Sequence, residues 1–210
     1  MILRICPLSD NDLDLEYLRD SLDEIEVVYD PRYDYNTATH EQFIQHKYQE
    51  VKDHIDYVGK NKGEMLNQLA KKYYRERAFN LLKRDNYGFK CYDRMTKKIE
   101  GADVELMDLY KDETLFAVKF GNTSSKLCYA VDQSITTAKL YKHKLIEGLP
   151  MATKMAVWLV LDRRSHLPTE NGKPNINRLD MLSLKNKLDN WKKEIRLLGY
   201  TPIIMINYFN

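Results

Sequence analysis

Glycine, proline and cysteine are all scarce in this chain: 8, 6 and 3 among 210 residues. Few glycines and prolines leave little material for flexible linkers. The length then suggests one domain, or one domain with an extension. The cysteines Cys6, Cys91 and Cys128 are odd in number and far apart. That pattern excludes a CxxC metal knuckle and argues for a reduced, cytoplasmic setting. No apolar run approaches the roughly 20 residues a membrane span needs, so no membrane role is expected. The opening Met1–Cys6 is too short and too quickly followed by acids to read as a signal peptide. An excess of one charge sign is missing too. Lysine and arginine number 33 against 31 acids, for a net charge of +2. A histone-like polycation is excluded; a local basic face that meets nucleic acid is not. Neither repeats nor low-complexity stretches occur. What is present is 43% hydrophobic and 30% charged residues with 15 tyrosines, enough for a real core.

Acids crowd the start, with Asp10, Asp12, Asp14, Asp20, Asp23 and Glu24 among them, and residues 1–60 read as an acidic, partly helical extension. Residues 61–210 then form the main domain. Apolar residues at helical spacing predict helices over 41–58 and 64–83. Residues 87–92, 99–110 and 114–120 read as strands, the last two joined by Lys111-Asp112-Glu113 at hairpin length. Helices are expected over 127–146 and 179–198, the latter stopped by Gly199. The unbroken apolar run 155–161 predicts a strand buried on both faces, and 201–208 reads as a last buried strand. This order gives an α/β fold, a mixed sheet flanked by helices.

Chemistry concentrates at the predicted hairpin. Asp103, Glu105 and Asp108 share one expected strand, and Lys119 lies on the next. A register that sets Glu105 opposite Lys119 puts Asp103 on their face and Asp108 on the other. Carboxylates converging at a sheet end suit Mg²⁺ or Mn²⁺, hard ions that take oxygen ligands. Such an ion activates water, and a neighbouring lysine stabilises charge on a phosphoryl transition state. The same residues also make an ordinary cross-strand ion pair worth a few tenths of a kcal/mol.

The sequence of a helix with an acid, three strands carrying acids and then Lys119, a helix and a buried strand resembles the core of the PD-(D/E)xK nuclease superfamily, across about residues 60–162. The resemblance implies a restriction-endonuclease-like αβββαβ core and phosphodiester hydrolysis of DNA or RNA. Glu64 stands where that superfamily draws a glutamate from its first helix, and Gln133 and Tyr141 lie on the helix after the lysine. Glu64, Asp103, Glu105 and Asp108 would then be catalytic acids, the last three holding the metal. Lys119 would position water and Gln133 would orient the site. Ala117 occupies the place, two residues before Lys119, where the superfamily has an acid. Either Glu105 and Asp108 supply that ligand, or the module binds without cutting. Glu105-Leu-Met-Asp-Leu109, Phe116-Ala-Val-Lys119 and Asp132-Gln-Ser134 also resemble a sporadically distributed, uncharacterised bacterial family found near restriction-modification and defence genes, over about residues 87–208. That likeness implies a bacterial or phage defence or mobile-element setting.

Basic residues form two groups. Lys71, Lys72, Arg75, Arg77, Lys83 and Arg84 alternate with Tyr73 and Tyr74, and Lys139 and Lys142 follow later. They read as solvated faces or, if they flank the acids, as contacts to a phosphate backbone together with Ser124 and Ser125. His40, His46 and His54 are spaced at six and eight, which does not gather them on one helix face. Nucleic acid is the expected partner, with a protein partner or a homodimer as the other options.

Overall fold

The computed structural model describes residues 25–57, 59–99, 102–145 and 150–210. In chain order these form β1 (Glu26–Val28), α1 (Thr37–Val51), α2 (Lys62–Lys72), α3 (Arg75–Tyr87), β2 (Lys90–Cys91), β3 (Thr96–Ile99), β4 (Ala102–Glu105), β5 (Leu109–Lys111), β6 (Thr114–Gly121), α4 (Ser124–Lys142), β7 (Lys154–Asp162), β8 (Thr169–Glu170), β9 (Lys173–Pro174), α5 (Leu182–Leu197) and β10 (Thr201–Phe209). A six-stranded sheet runs β1-β10-β7-β6-β5-β2. The first three pairings from the β1 edge are parallel and the last two antiparallel. Helices cover both faces. The expected mixed α/β sheet is therefore present.

The apolar runs place the sheet's centre. In β7, Met155, Val157, Leu159 and Leu161 face one core with Leu127 and Val131 of α4 and Leu188 and Trp191 of α5. Ala156, Trp158 and Val160 face a second core with Phe43 and Ile44 of α1, Leu69 of α2 and Phe79 of α3. Period-two alternation between two apolar layers is why this strand reads as one continuous run. The second core holds one buried polar link. Trp158 Nε1 donates to Asn207 Oδ1 at 3.0 Å, and Asn207 Nδ2 donates to Asp30 O and Asp34 Oδ1, both at 2.8 Å. This link ties the segment before α1 to β10.

Four expectations change. Residues 25–57 are not set apart as an extension: β1 extends the main sheet and α1 contributes to its core. The acids at positions 10–24 lie outside the described residues. The expected single helix over 64–83 is two helices, broken at Tyr73 and Tyr74. Tyr73 packs edge-on to Phe43 with ring centroids 5.7 Å apart, so packing rather than a glycine or proline fixes the bend. The helix then runs on to Tyr87, because the left-handed turn that ends it falls at Gly88, φ 71°. That shortens the strand expected over 87–92 to two residues. Finally, the strand expected over 99–110 divides. β4 pairs with β3 in a separate two-stranded ladder, and only β5 joins the main sheet. The β5–β6 connection does close in two residues, with Asp112 and Glu113 at φ 48° and 58°, the turn geometry that suits a twisted hairpin.

Candidate functional site

The division of β4 from β5 creates the site. β5 covers only Thr114–Phe116 of its neighbour β6. Beyond Phe116 the outer edge of β6 has no strand partner among the described residues, yet its backbone N–H groups still need acceptors. Two carboxylates supply them. Asp108 Oδ2 accepts from Val118 N at 2.7 Å, and Glu76 Oε2 accepts from Phe120 N at 3.1 Å. Glu76, in the first turn of α3, also takes Lys119 Nζ at 2.9 Å on its other oxygen. The break at Tyr73–Tyr74 is what brings the start of α3, and hence Glu76, to this strand end.

Lys119 is the hub. Its ammonium lies 4.8 Å from the centroid of the Tyr129 ring on α4, and Tyr129 OH donates to Glu105 Oε2 at 2.9 Å. Burial works against the Lys119 charge. The Glu76 carboxylate, through charge and hydrogen bond, more than offsets it and holds the pKa above the ordinary lysine value. Asp108 is buried, and desolvation pushes its carboxyl well above the usual range. The Val118 N–H opposes this, while Glu76, Asp93 and Glu105 add to it by like-charge repulsion. Asp93 is also raised by burial, against the pull of Arg77, whose Nε lies 3.7 Å away. Four carboxylates, Glu76, Asp93, Glu105 and Asp108, therefore crowd a half-buried space that also holds Lys119, Arg77 and Arg94.

Above this cluster opens a cleft of about 630 Å³ lined by His40, Tyr74, Arg75, Glu76, Lys119 and Lys126 among others. It lies at the carboxyl ends of β6, β7 and β10, where ligands of open α/β sheets bind. Arg75 marks the far side: its guanidinium sits 4.2 Å from the Phe209 ring centroid and 3.3 Å from Asp162. Gly121 lets the first turn of α4 close onto the strand end, since a Cβ there would come 3.1 Å from Lys126 Cβ. Three cations against one acid make the cleft lining basic, while the carboxylates lie below it.

Of the residues proposed from sequence, Glu105, Asp108 and Lys119 come together here. The expected register does not hold: Glu105 pairs with Thr96 in the β3–β4 ladder and reaches Lys119 only through Tyr129. Asp103 pairs with Lys98 in that ladder, and its side chain lies outside the described residues. Glu64 is elsewhere. It closes a capping box at the start of α2, receiving Asn61 N at 3.3 Å while Asn61 Oδ1 receives its own N–H; Glu76 takes the place at the site. Gln133 is buried, and its Nε2 donates to Leu106 O, so it anchors the link between β4 and β5. Tyr141 likewise holds Pro150 O and Ala152 N.

The basic residues separate. Arg75 lines the cleft. Ser124 and Ser125 open α4 at its rim. Lys71 and Lys72 end α2, exposed. Lys139 and Lys142 lie at the other end of α4, Lys139 being about 22 Å along the helix from Ser124 at 1.5 Å per residue and paired with Glu194. Lys139 and Lys142 do not flank the acids. Lys83 is buried among aromatic rings and offers no phosphate contact. Glu76, Asp93, Lys126 and Tyr129 were not singled out by sequence. Only Glu76 had a signal, an acid between Arg75 and Arg77, and it pointed to a site only once the helix break was known.

A metal finds no ready-made cage. Among the described residues no three His, Cys, Asp or Glu side chains converge as a metal site requires. Both Glu76 oxygens and one oxygen each of Asp108 and Glu105 are already engaged. Ala117 lies in the core at 0% exposure. No helix among the described residues is long and apolar enough to cross a membrane. No protein-family model, curated protein or solved structure matches the chain.

Proposed function

We propose that this chain is a nuclease-like module that holds the phosphodiester backbone of DNA or RNA in the cleft at the end of β6. The carrying observation is Lys119, fixed between Glu76 and Tyr129 below a lining that adds Arg75 and Lys126. Phosphates enter such a basic cleft with release of counterions, and Lys119 meets them from below. A glutamate from the helix before the strands, an aspartate where the hairpin begins, a lysine on the next strand and a glutamine on the following helix support the restriction-endonuclease-like reading. So does the order of antiparallel hairpin, helix and parallel strand. The setting suggested by resemblance is bacterial or phage defence.

Binding is tested by fluorescence anisotropy with labelled single-stranded DNA, single-stranded RNA and duplex. Affinity should fall steeply with salt, and Lys126→Ala and Arg75→Gln should each reduce the salt slope by about one. Absence of salt-dependent binding to all three would refute the reading.

A second reading, metal-dependent cleavage, rests on the carboxylate excess around Asp108. Like charges that push a buried carboxyl upward are relieved by a divalent cation. Mg²⁺ or Mn²⁺ would take the second oxygens of Asp108 and Glu105, would need Glu76 to release a present partner, and would supply Lewis-acid chemistry at a phosphate. Cleavage in Mn²⁺ that falls at least about a hundredfold in both Lys119→Ala and Glu76→Gln, with unchanged circular dichroism, would establish it. Binding without cleavage would leave the first reading alone.

A further inference from the structure

A groove of about 700 Å³ between α1 and α2 adjoins the cleft and shares His40 and Ala70 with it. The two spaces differ in chemistry. The cleft gathers Arg75, Lys119 and Lys126. The groove, among the described residues, has no lysine or arginine in its lining. Its floor is Ile44 and Leu66; its polar groups are the amides of Gln42, Gln45 and Asn67, the His40 ring and one exposed carboxylate, Glu41. His40 at the junction adds no charge near neutral pH, because burial and then the nearby Arg75 lower its pKa. Its Nδ1 is already within 3.0 Å of Tyr35 OH.

A nucleotide divides in the same way, into a charged phosphate and a flat apolar base with hydrogen-bonding edges. Carboxamides are the side chains that read base edges, pairing donor and acceptor with adenine above all. A base out of its stack is held against aromatic or apolar side chains, and Ile44 and Leu66 supply the second kind. We propose that the α1–α2 groove is a nucleobase subsite, receiving an unpaired base of the strand whose phosphate lies beside Lys119 and Arg75. This rests on the phosphate-binding reading of the cleft and extends it: the substrate is single-stranded, or is opened on binding, and part of its affinity comes from the base. A base paired in a duplex cannot leave its stack to enter the groove without losing its partner.

The experiment measures anisotropy of labelled oligo(dA), an abasic strand of equal length and a blunt duplex, with wild-type protein, Asn67→Leu and Gln45→Leu. Both substitutions are on exposed helix positions, and urea midpoints verify that each variant folds. Free adenosine monophosphate as competitor separates a strand-borne base from a lone nucleotide. The expected result is that wild type prefers oligo(dA) over the abasic strand by at least about fivefold. That ratio should shrink toward one in Asn67→Leu, and millimolar adenosine monophosphate should fail to displace the strand. Equal affinity for oligo(dA) and the abasic strand, both sensitive to Lys126→Ala, would overturn the base subsite and leave the phosphate site standing. Full displacement by adenosine monophosphate would overturn the strand-borne base in favour of a free nucleotide. No binding of any strand would remove both.

Discussion

Two lysines are held against helix α3 in opposite ways. Lys119 meets its first turn through Glu76 and lies among carboxylates at an open cleft, its side chain 26% exposed. Lys83 sits two turns further on, 3% exposed, with its ammonium 4.4 Å from the Phe79 ring centroid and 4.8 Å from those of Tyr33 and Tyr87. Its ammonium donates a hydrogen bond to Tyr33 O at 3.3 Å. Burial lowers the Lys83 pKa to about 8, against the pull of Asp34 and Asp30, whereas Glu76 raises that of Lys119. An aromatic box replaces water's contact area but not its solvation energy; a carboxylate replaces both. The Lys119 charge is therefore built to persist, and the Lys83 charge to be costly. A persistent charge beside open space is what a binding site requires.

Breaking the Lys119 side should have the largest effect. Glu76→Ala leaves Lys119 without its carboxylate and Phe120 N without its acceptor. The loss should be about 2–3 kcal/mol, below the full figure for a buried pair because Lys119 is partly exposed. Urea unfolding at neutral pH measures it. Glu76→Gln keeps an acceptor for Phe120 N and should lose less than half as much. Equal losses would mean that the ion pair carries the whole effect and the acceptor for Phe120 N contributes nothing.

Breaking the Lys83 side should do the reverse. Lys83→Met fills the same space with no charge to desolvate, so stability at pH 7 should rise by about 1–2 kcal/mol after the lost ring contacts and hydrogen bond are counted. The pH dependence gives a sharper test. Between about pH 8 and the unfolded lysine value near 10.5, the unfolded chain holds a proton on Lys83 that the folded protein does not. Stability from this group therefore rises with pH across that window, and its cost is full below pH 8. Lys119 runs opposite: its contribution is complete below 10.5 and is lost as pH climbs past its raised folded value. The difference in unfolding free energy between Lys83→Met and its parent should shrink steadily from pH 8 to 10.5. A constant difference would show that Lys83 titrates normally.

The same contrast marks what could be read from sequence. Runs such as Met155–Leu161 and Pro202–Tyr208 announce central strands because burial on both faces demands apolar residues at nearly every position, Asn207 being the exception that Trp158 satisfies. Asp108 and Lys119 were visible as acid and base near one hairpin. Glu76 was not, since its place depends on a helix break that contains neither glycine nor proline and is fixed by Tyr73 packing on Phe43. The parting of β4 from β5 left only one mark, the adjacent Leu106 and Met107, where the apolar positions pass from even to odd numbers. Lys83 looked like another surface cation in a basic run, since its burial depends on rings from residues 33 and 87, far apart in sequence.

The finest distinction at the Lys119 side is between ring and hydroxyl. Tyr129 gives Lys119 its ring face and Glu105 its hydroxyl. Glu105, and then burial, raise the Tyr129 pKa, so the hydroxyl stays protonated and donates throughout the neutral range. Tyr129→Phe removes only that hydrogen bond, from an exposed ring, and should cost about 0.5 kcal/mol. Tyr129→Leu removes the ring contact as well and should cost about 0.5 kcal/mol more. If nucleic-acid binding uses Lys119 as placed, Tyr129→Phe should leave the salt slope unchanged, whereas Tyr129→Leu, by freeing the ammonium to move, should weaken binding two- to threefold. Equal binding by both variants would mean that Glu76 alone positions Lys119 and that the aromatic contact is incidental.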